Sequence, residues 1–530
     1  MTNDRGKSDR PIVPTKLPNK AGPRKQRGYG DPYTGTKAET LDTAKGKPTA
    51  PMVEADPTAE AMEGRGLTKG NTDQQNASRT QRRIDAPSAL DRVRQAAKKD
   101  RNVKFTALFH HLTLDRLRSA FLALERSAAA GVDGVTWEQY AAGLEGNLQA
   151  LHEQLHKGAY RAKPSRRVFI PKADGRQRPL GIASLEDKVV QRAVVEVLNA
   201  IYEEDFLGFS YGFRPGRSQH HALDALATGL QRKRVNWVLD ADLRDFFGSI
   251  SHGWLEKFLE HRIADRRIVR LVQKWLKAGV LADGTWTASE EGAPQGATVS
   301  PLLSNLYLHY VFDLWVQQWR TRHARGNVVA VRFADDFVVG FELRADAERF
   351  LVELRERLAQ FSLELHADKT RLLEFGRFAA ANRVRRGLGK PETFDFLGFT
   401  HICAKTRWGR FQLARRTMRV RMRAKLRAVN TELRRRRHDP ISEQGRWLGS
   451  VVRGHTQYYA VPGNGDAVAS FRTQVTRHWR RWLRRRSQRT RMNWGRINRL
   501  ATRWLPYARI QHPWPEKRFD VRTRGKSPVR

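Results

Sequence analysis

The sequence predicts an α+β protein of several domains, with a small antiparallel sheet set among helices. Three observations carry this reading. Two apolar segments, VNWVLDADLRDFFGSI at 235–250 and VVAVRFADDFVVGF at 328–341, read as strands that carry carboxylates where the apolar runs end. Most of the chain around them has helical spacing, as in TLDRLRSAFLALERS and AERFLVELRERLAQF. And 530 residues exceed one core, at about 150 residues per domain.

Charge narrows the function. Lys and Arg total 98 against 55 Asp and Glu, a formal charge of +43. So basic a surface calls for a polyanionic partner. No run of ~18 apolar residues exists to span a membrane, and no apolar stretch follows the charged N-terminus. Cys403 is the only cysteine, which excludes an internal disulfide framework and a zinc site of paired cysteines. The excess is concentrated: residues 401–530 hold 35 Lys and Arg against 6 Asp and Glu, with seven of the fourteen tryptophans. One basic run alone reads as a solvated helix face. This density with interleaved aromatics reads as a phosphate-binding surface, some tryptophans being core.

In chain order, residues 1–85 are rich in Lys, Gly, Pro, Thr, Asp and Asn and lack apolar periodicity, so they read as a disordered basic arm. Helical spacing starts at SALDRVRQAAKKD with Ser88 as N-cap. It returns in WEQYAAGLEGNLQALHEQLHKG after the glycine-punctuated AAGVDGVTW. RRVFIPK and RQRPLGI flank Ala173-Asp174-Gly175 as a β-hairpin with Lys172, Arg176 and Arg178 near one end. The strand from Val235 places Asp240 and Asp242 on one face, two residues apart. Ala334-Asp335-Asp336 is a tight strand–turn–strand. Its acids either face water as turn residues or need a cation. Beyond about residue 410 the pattern is helical: RRTMRVRMRAKLRAVNTELRRRR, QGRWLGSVVRGHTQYYAVPGN and AVASFRTQVTRHWRRWLRRRS. Brought together, the two carboxylate segments make an oxygen-rich cluster suited to two Mg²⁺ ions. Two such ions serve nucleotidyl transfer, and the charge points to nucleic acid as the chain extended.

These segments resemble the reverse transcriptase/maturase proteins encoded within bacterial group II introns, over about residues 90–530. FADDF at 333–337 matches the box usually written YADD, with Phe333 for the Tyr. DADLRDFF at 240–247 matches the first catalytic box, and GAPQGATVSPLLSNLYL at 292–308 the template-supporting box. SYGFRPGRSQHHALDAL, RPLGIASLEDKVVQ and AAGVDGVT match the fingers and N-terminal extension, and FDFLGF at 394–399 the primer-gripping turn.

The resemblance implies a right-hand polymerase: an N-terminal extension and fingers over 86–230, a palm over 231–405, a helical thumb or maturase domain X over 406–486, and a basic DNA-binding-like tail over 487–530. It implies an RNA-directed DNA polymerase that also binds its host intron RNA to assist splicing and mobility. Alternatives are a non-intron reverse transcriptase, defence-associated or diversity-generating, and a splicing cofactor acting mainly by RNA binding. Asp242, Asp335 and Asp336 would be the catalytic Mg²⁺ ligands, with Asp240 accessory. Lys172 and Arg178 would hold the triphosphate. Phe247 would underlie the deoxyribose, though core packing is its plain alternative. Gln295 and Gly296 would line the nascent base pair. Lys369 would sit near the leaving pyrophosphate, or be a surface charge. Arg434, Arg435, Arg436, Arg437, Arg484, Arg485 and Arg486 would bind RNA. Implied partners are intron RNA and RNA template, a DNA primer or target, and deoxynucleoside triphosphates. A homodimer is left open, and the place of action would be the bacterial cytoplasm, near the nucleoid. The family's metal-dependent endonuclease, with its paired cysteines and histidines, is expected to be missing.

Overall fold

Alternating apolar and polar residues give the strands on which the rest is built. The computed structural model describes residues 89–171 and 177–523. The expected basic arm, the Ser88 cap and the hairpin turn with Lys172 and Arg176 lie outside the described residues. Described strands are β1 (Ser165–Pro171), β2 (Gln177–Ile182), β3 (Trp237–Asp242), β4 (Val280–Ala282), β5 (Thr285–Thr287), β6 (Val328–Phe333), β7 (Asp336–Phe341), β8 (Arg371–Glu374), β9 (Phe394–Phe396), β10 (Phe399–Lys405) and β11 (Phe411–Thr417).

Helices Ala89–Lys99, Leu114–Leu122, Trp137–Ala142 and Leu144–His156 precede the strands. Thr113 caps the second, its side chain accepting from Arg116 N, and Thr136 with Gln139 forms a capping box on the third. The helical pattern from Trp137 is split at Gly143. The expected hairpin forms: β1 and β2 pair antiparallel from Arg166↔Ile182 to Pro171↔Gln177, in a sheet of order β2-β1-β4-β5.

The carboxylate segments meet in a second sheet, order β6-β7-β3-β8, whose pairings are all antiparallel. Helix Gln219–Arg232 packs Ala222, Leu223, Leu226 and Leu230 with Val238, Val329, Val331 and Val338. Each fully buried Leu or Val among these stabilises by about 1.5–3 kcal/mol. Phe350 of helix Arg344–Ala359 meets Phe341 of β7, ring centroids 5.1 Å apart.

The third sheet, β9-β10-β11, corrects the sequence reading. Residues 411–417 had helical spacing but form β11, paired with β10 from Phe399↔Thr417 to Lys405↔Phe411. Leu413, Arg415 and Thr417 are buried on alternate positions, so the period is two, and the helix begins only at Arg419. A boundary at 405/406 therefore falls within a hairpin.

Helices Arg419–Arg435, Ile441–Tyr459, Gly465–Arg484 and Trp494–Trp504 share one core of Val429, Leu433, Leu448, Phe471, Trp479, Trp482 and Ile497, among others. The tryptophans divide accordingly. Trp479 and Trp482 are buried, Trp447 and Trp504 pack against that core, and Trp408, Trp494 and Trp514 are exposed. Residues 487–523 carry two packed helices. Trp494–Trp504 joins the helical core, and Pro515–Thr523 adds Phe519 to the core that helix Gln219–Arg232 shares with the carboxylate sheet. No helix among the described residues is long and apolar enough to cross a membrane.

Candidate active site

Strand register brings the acids together. In the β3–β7 pairing Asp242 stands opposite Asp336, and in β6–β7 Phe333 stands opposite Asp336, leaving Ala334 and Asp335 as a two-residue turn. Ala334 has φ +57°, the positive value that tight hairpin turns require. The SYGF segment lies directly against this turn. A Cβ on Gly212 would stand 2.2 Å from Ala334 N, so only glycine fits there. Asp240, Asp242, Asp335 and Asp336 are all partly buried.

Crowded carboxylates shift one another. Burial raises the Asp240 carboxyl to about 6 despite Arg371, 3.6 Å away. Burial and then the Asp242 charge raise Asp335, while Arg178 and Lys369 pull it down. Asp336 is raised well above the usual carboxylate range by burial, then by Asp240, Asp242 and Asp335. The site carries more negative charge than its surroundings balance. Lys369 answers part of it, its ammonium donating to Asp242 Oδ2. The HADKT segment that carries Lys369 is tied to β3 by His366 N donating to the Asp242 carbonyl at 2.8 Å. As the side chains stand, no group of three His, Cys, Asp or Glu converges in metal-ligating geometry among the described residues.

Of the sequence-derived nucleotide residues, the structure joins two. The Gln295 amide, set with its oxygen toward Arg178, accepts from Arg178 Nε and Nη2 at 2.9 and 3.0 Å and donates to the Pro179 carbonyl at 3.1 Å. Gly181 N donates to the Gln295 carbonyl at 2.6 Å. Phe247 is half-buried, edge-on to Phe246 at 5.3 Å, and its carbonyl accepts from Ala293 N at 2.8 Å. The GAPQG loop thus bridges the β2 arm and the turn after β3. Lys172 lies outside the described residues.

Sequence reasoning missed what lies beneath the carboxylate turn. Arg332 and Asp313 are fully buried and paired, Nε to Oδ1 at 2.7 Å and Nη2 to Oδ2 at 2.5 Å. Arg332 also donates to the Ala334 carbonyl at 2.9 Å, Asn305 Oδ1 at 3.1 Å and Ser210 Oγ at 2.8 Å. The available signal was a lone Arg in the apolar VVAVRF and a lone Asp in LHYVFDLWV, since a buried charge needs a partner. Arg421 was missed too. It lowers Asp336 electrostatically, and it stands beside the FDFLGF turn, where Leu397 has φ +48° and Tyr458 Oη donates to the Leu397 carbonyl at 2.7 Å.

The two expected RNA-binding runs are neighbours. Arg486 donates to the Arg437 carbonyl at 2.6 Å and also to the Asp439 carbonyl. Arg435 and Arg436 pair with Glu432, and Arg436 lies over Trp447 at 5.3 Å. Arg434, Arg484 and Arg485 are exposed.

A family model described as reverse transcriptase (RNA-dependent DNA polymerase) matches residues 170–401. Among curated relatives, Protein YkfC of Escherichia coli is 36% identical over 313 residues, 53% of this chain and 78% of the relative. Group II intron-encoded protein LtrA of Lactococcus lactis is 32% identical over 238 residues, 44% of this chain and 39% of its own length. The putative COX1/OXI3 intron 1 protein of Saccharomyces cerevisiae is 33% identical over 182 residues, 34% of this chain and 22% of its own. The chain thus spans most of the first relative and well under half of the other two.

Proposed function

Because this chain belongs to the reverse transcriptase family of RNA-directed DNA polymerases, in its group II intron-encoded branch, we propose that it copies RNA into DNA at Asp242, Asp335 and Asp336 and also binds a host intron RNA to assist its splicing. In this reading β1–β2 belong to the fingers, the β6-β7-β3-β8 sheet is the palm, and the helices from Arg419 to Arg484 are the thumb. The observation that carries it is the register opposing Asp242 to Asp336 beside the Asp335 turn.

The donor set fits Mg²⁺, being oxygen only and raised in pKa by burial first and then by the neighbouring acids, a cost that a divalent cation would relieve. Bound there, the metal would activate a primer 3′-hydroxyl and offset charge on the leaving pyrophosphate. Lys369 leaves Asp242 for the pyrophosphate. Arg178, steadied by Gln295, and Lys172 hold the triphosphate. Phe247 underlies the deoxyribose and excludes a 2′-hydroxyl. Gln295 and Gly296 border the nascent pair. RNA template, intron RNA, DNA primer and deoxynucleoside triphosphates are the partners.

Asp335→Asn tests the site: primer extension on an RNA template falls to background while RNA affinity by filter binding is unchanged. Extension within a few-fold of wild type would sink the assignment.

A further inference from the structure

We propose that Arg332 is a positioning residue for polymerisation, fixing the Ala334 carbonyl and through it the adjacent Asp335 and Asp336. This rests on the polymerase reading of the same site. A guanidinium has five N–H bonds in a rigid plane. All five are used here, in bonds to both Asp313 oxygens, Ser210 Oγ, Asn305 Oδ1 and the Ala334 carbonyl. The four partners come from four places in the chain: the SYGF segment, helix Ser300–Leu308, the π-turn His309–Asp313 and the carboxylate turn itself.

A single turn of π-helix admits an extra residue and re-aims the side chains that follow. Here it ends on Asp313, beneath β6. Asn305 closes the frame from the other side, its amide donating to the Gly212 carbonyl at 2.7 Å, where Gly212 meets Ala334 N. Ala334 is thus gripped at its carbonyl and crowded at its amide, and held at φ +57°. A buried ion pair is a poor source of stability compared with apolar packing of equal volume. Its use here is geometric: it locks a backbone conformation on which two carboxylates depend.

The test compares Arg332→Lys and the paired variant Arg332→Met/Asp313→Leu, which removes both charges together, with the wild-type chain. Four quantities are read: kcat for primer extension, half-saturating Mg²⁺, the rise in Tm on adding Mg²⁺ without nucleotide, and RNA affinity. The expected result is kcat down about 10²-fold, a higher Mg²⁺ requirement and a smaller Mg²⁺-induced Tm rise, with cooperative unfolding and RNA affinity kept. Wild-type kcat and Mg²⁺ dependence in either folded variant overturns the proposal. Failure of both variants to fold assigns Arg332 to the core alone and overturns it as well. Failure of the wild-type chain to extend any primer instead refutes the polymerase reading beneath it.

Discussion

Asp336 occupies a place that a carboxylate tolerates poorly, half-buried, opposite Asp242 and next to Asp335. Its pKa is raised well above the usual range, by burial first and then by three neighbouring acids. A folded-state pKa above the unfolded value means the ionised group costs stability once the pH rises through that value. At neutral pH without divalent cations, Asp336→Asn removes that cost and keeps the shape. Its Tm in EDTA is expected to exceed wild type by about 2 °C or more, roughly what 1 kcal/mol gives in a domain of this size. Mg²⁺ then raises the wild-type Tm and leaves the variant nearly unmoved. Scanning calorimetry with and without Mg²⁺ checks this, and a variant Tm below wild type in EDTA refutes the repulsion argument. The same logic explains why the acids were legible in the sequence while their support was not. Carboxylates ending apolar strands stand out, whereas the Arg332–Asp313 pair joins residues 19 apart through a turn of helix that no periodicity announces.

Helix Pro515–Thr523 shows what docking one short element requires. Phe519 enters the sheet core, and Arg518 Nε meets Asp224 Oδ2 at 2.6 Å, with Arg415 on the same carboxylate's other oxygen at 3.1 Å. Just before the helix, His512 stacks on half-buried His220, ring centroids 3.9 Å apart. Burial, followed by His512, Arg518, Arg415 and His221, holds the His220 imidazole down to about 2, and burial lowers His512 too. A depressed folded-state pKa gives stability present above the unfolded value near 6.5 and lost as the pH falls below it. Asp224, raised by burial, acts in the opposite sense, but the depression at His220 is the larger shift. Acidification from pH 7 to pH 5 is therefore expected to release residues 515–523 before the chain unfolds, seen as faster amide exchange confined to them. Exchange unchanged at pH 5 would exclude the histidine stack as the latch. This docking was illegible because EKRFDVR reads as a charged tail until the Asp224 partner is placed. Strand β11 was misread for a similar reason: Arg415 looks helical and solvated in the sequence, yet is buried on Asp224.

Across the whole molecule, the chemistry and the charge are carried by different parts of the chain. The carboxylates lie on the β6-β7-β3-β8 sheet, whereas an excess of 29 positive charges lies beyond residue 400. Splicing is chemistry of the RNA itself, so assistance needs binding alone. Binding through phosphates weakens with salt in proportion to the number of phosphates neutralised. The basic residues are not equivalent, however. Arg486 holds the Arg437 and Asp439 carbonyls, and Arg436 is tied to Glu432 and Trp447, so changing either disturbs the fold. Arg434, Arg484 and Arg485 are exposed at the ends of two neighbouring helices and are the informative positions. Charge reversal of these three to Glu is expected to lower the slope of log affinity against log salt by about 2–3, at ~0.7–0.9 for each phosphate left without its cation. Splicing of the host intron at low Mg²⁺ should weaken in parallel, with the Tm unchanged. The complementary variant Asp335→Asn/Asp336→Asn should do the reverse, promoting splicing while extending no primer. Filter binding over several salt concentrations, run beside splicing in vitro, separates the two. If the charge-reversed chain keeps the wild-type salt slope, the RNA lies elsewhere. If the carboxylate variant loses splicing along with polymerisation, the two functions share one site and the division between sheet and basic helices is wrong.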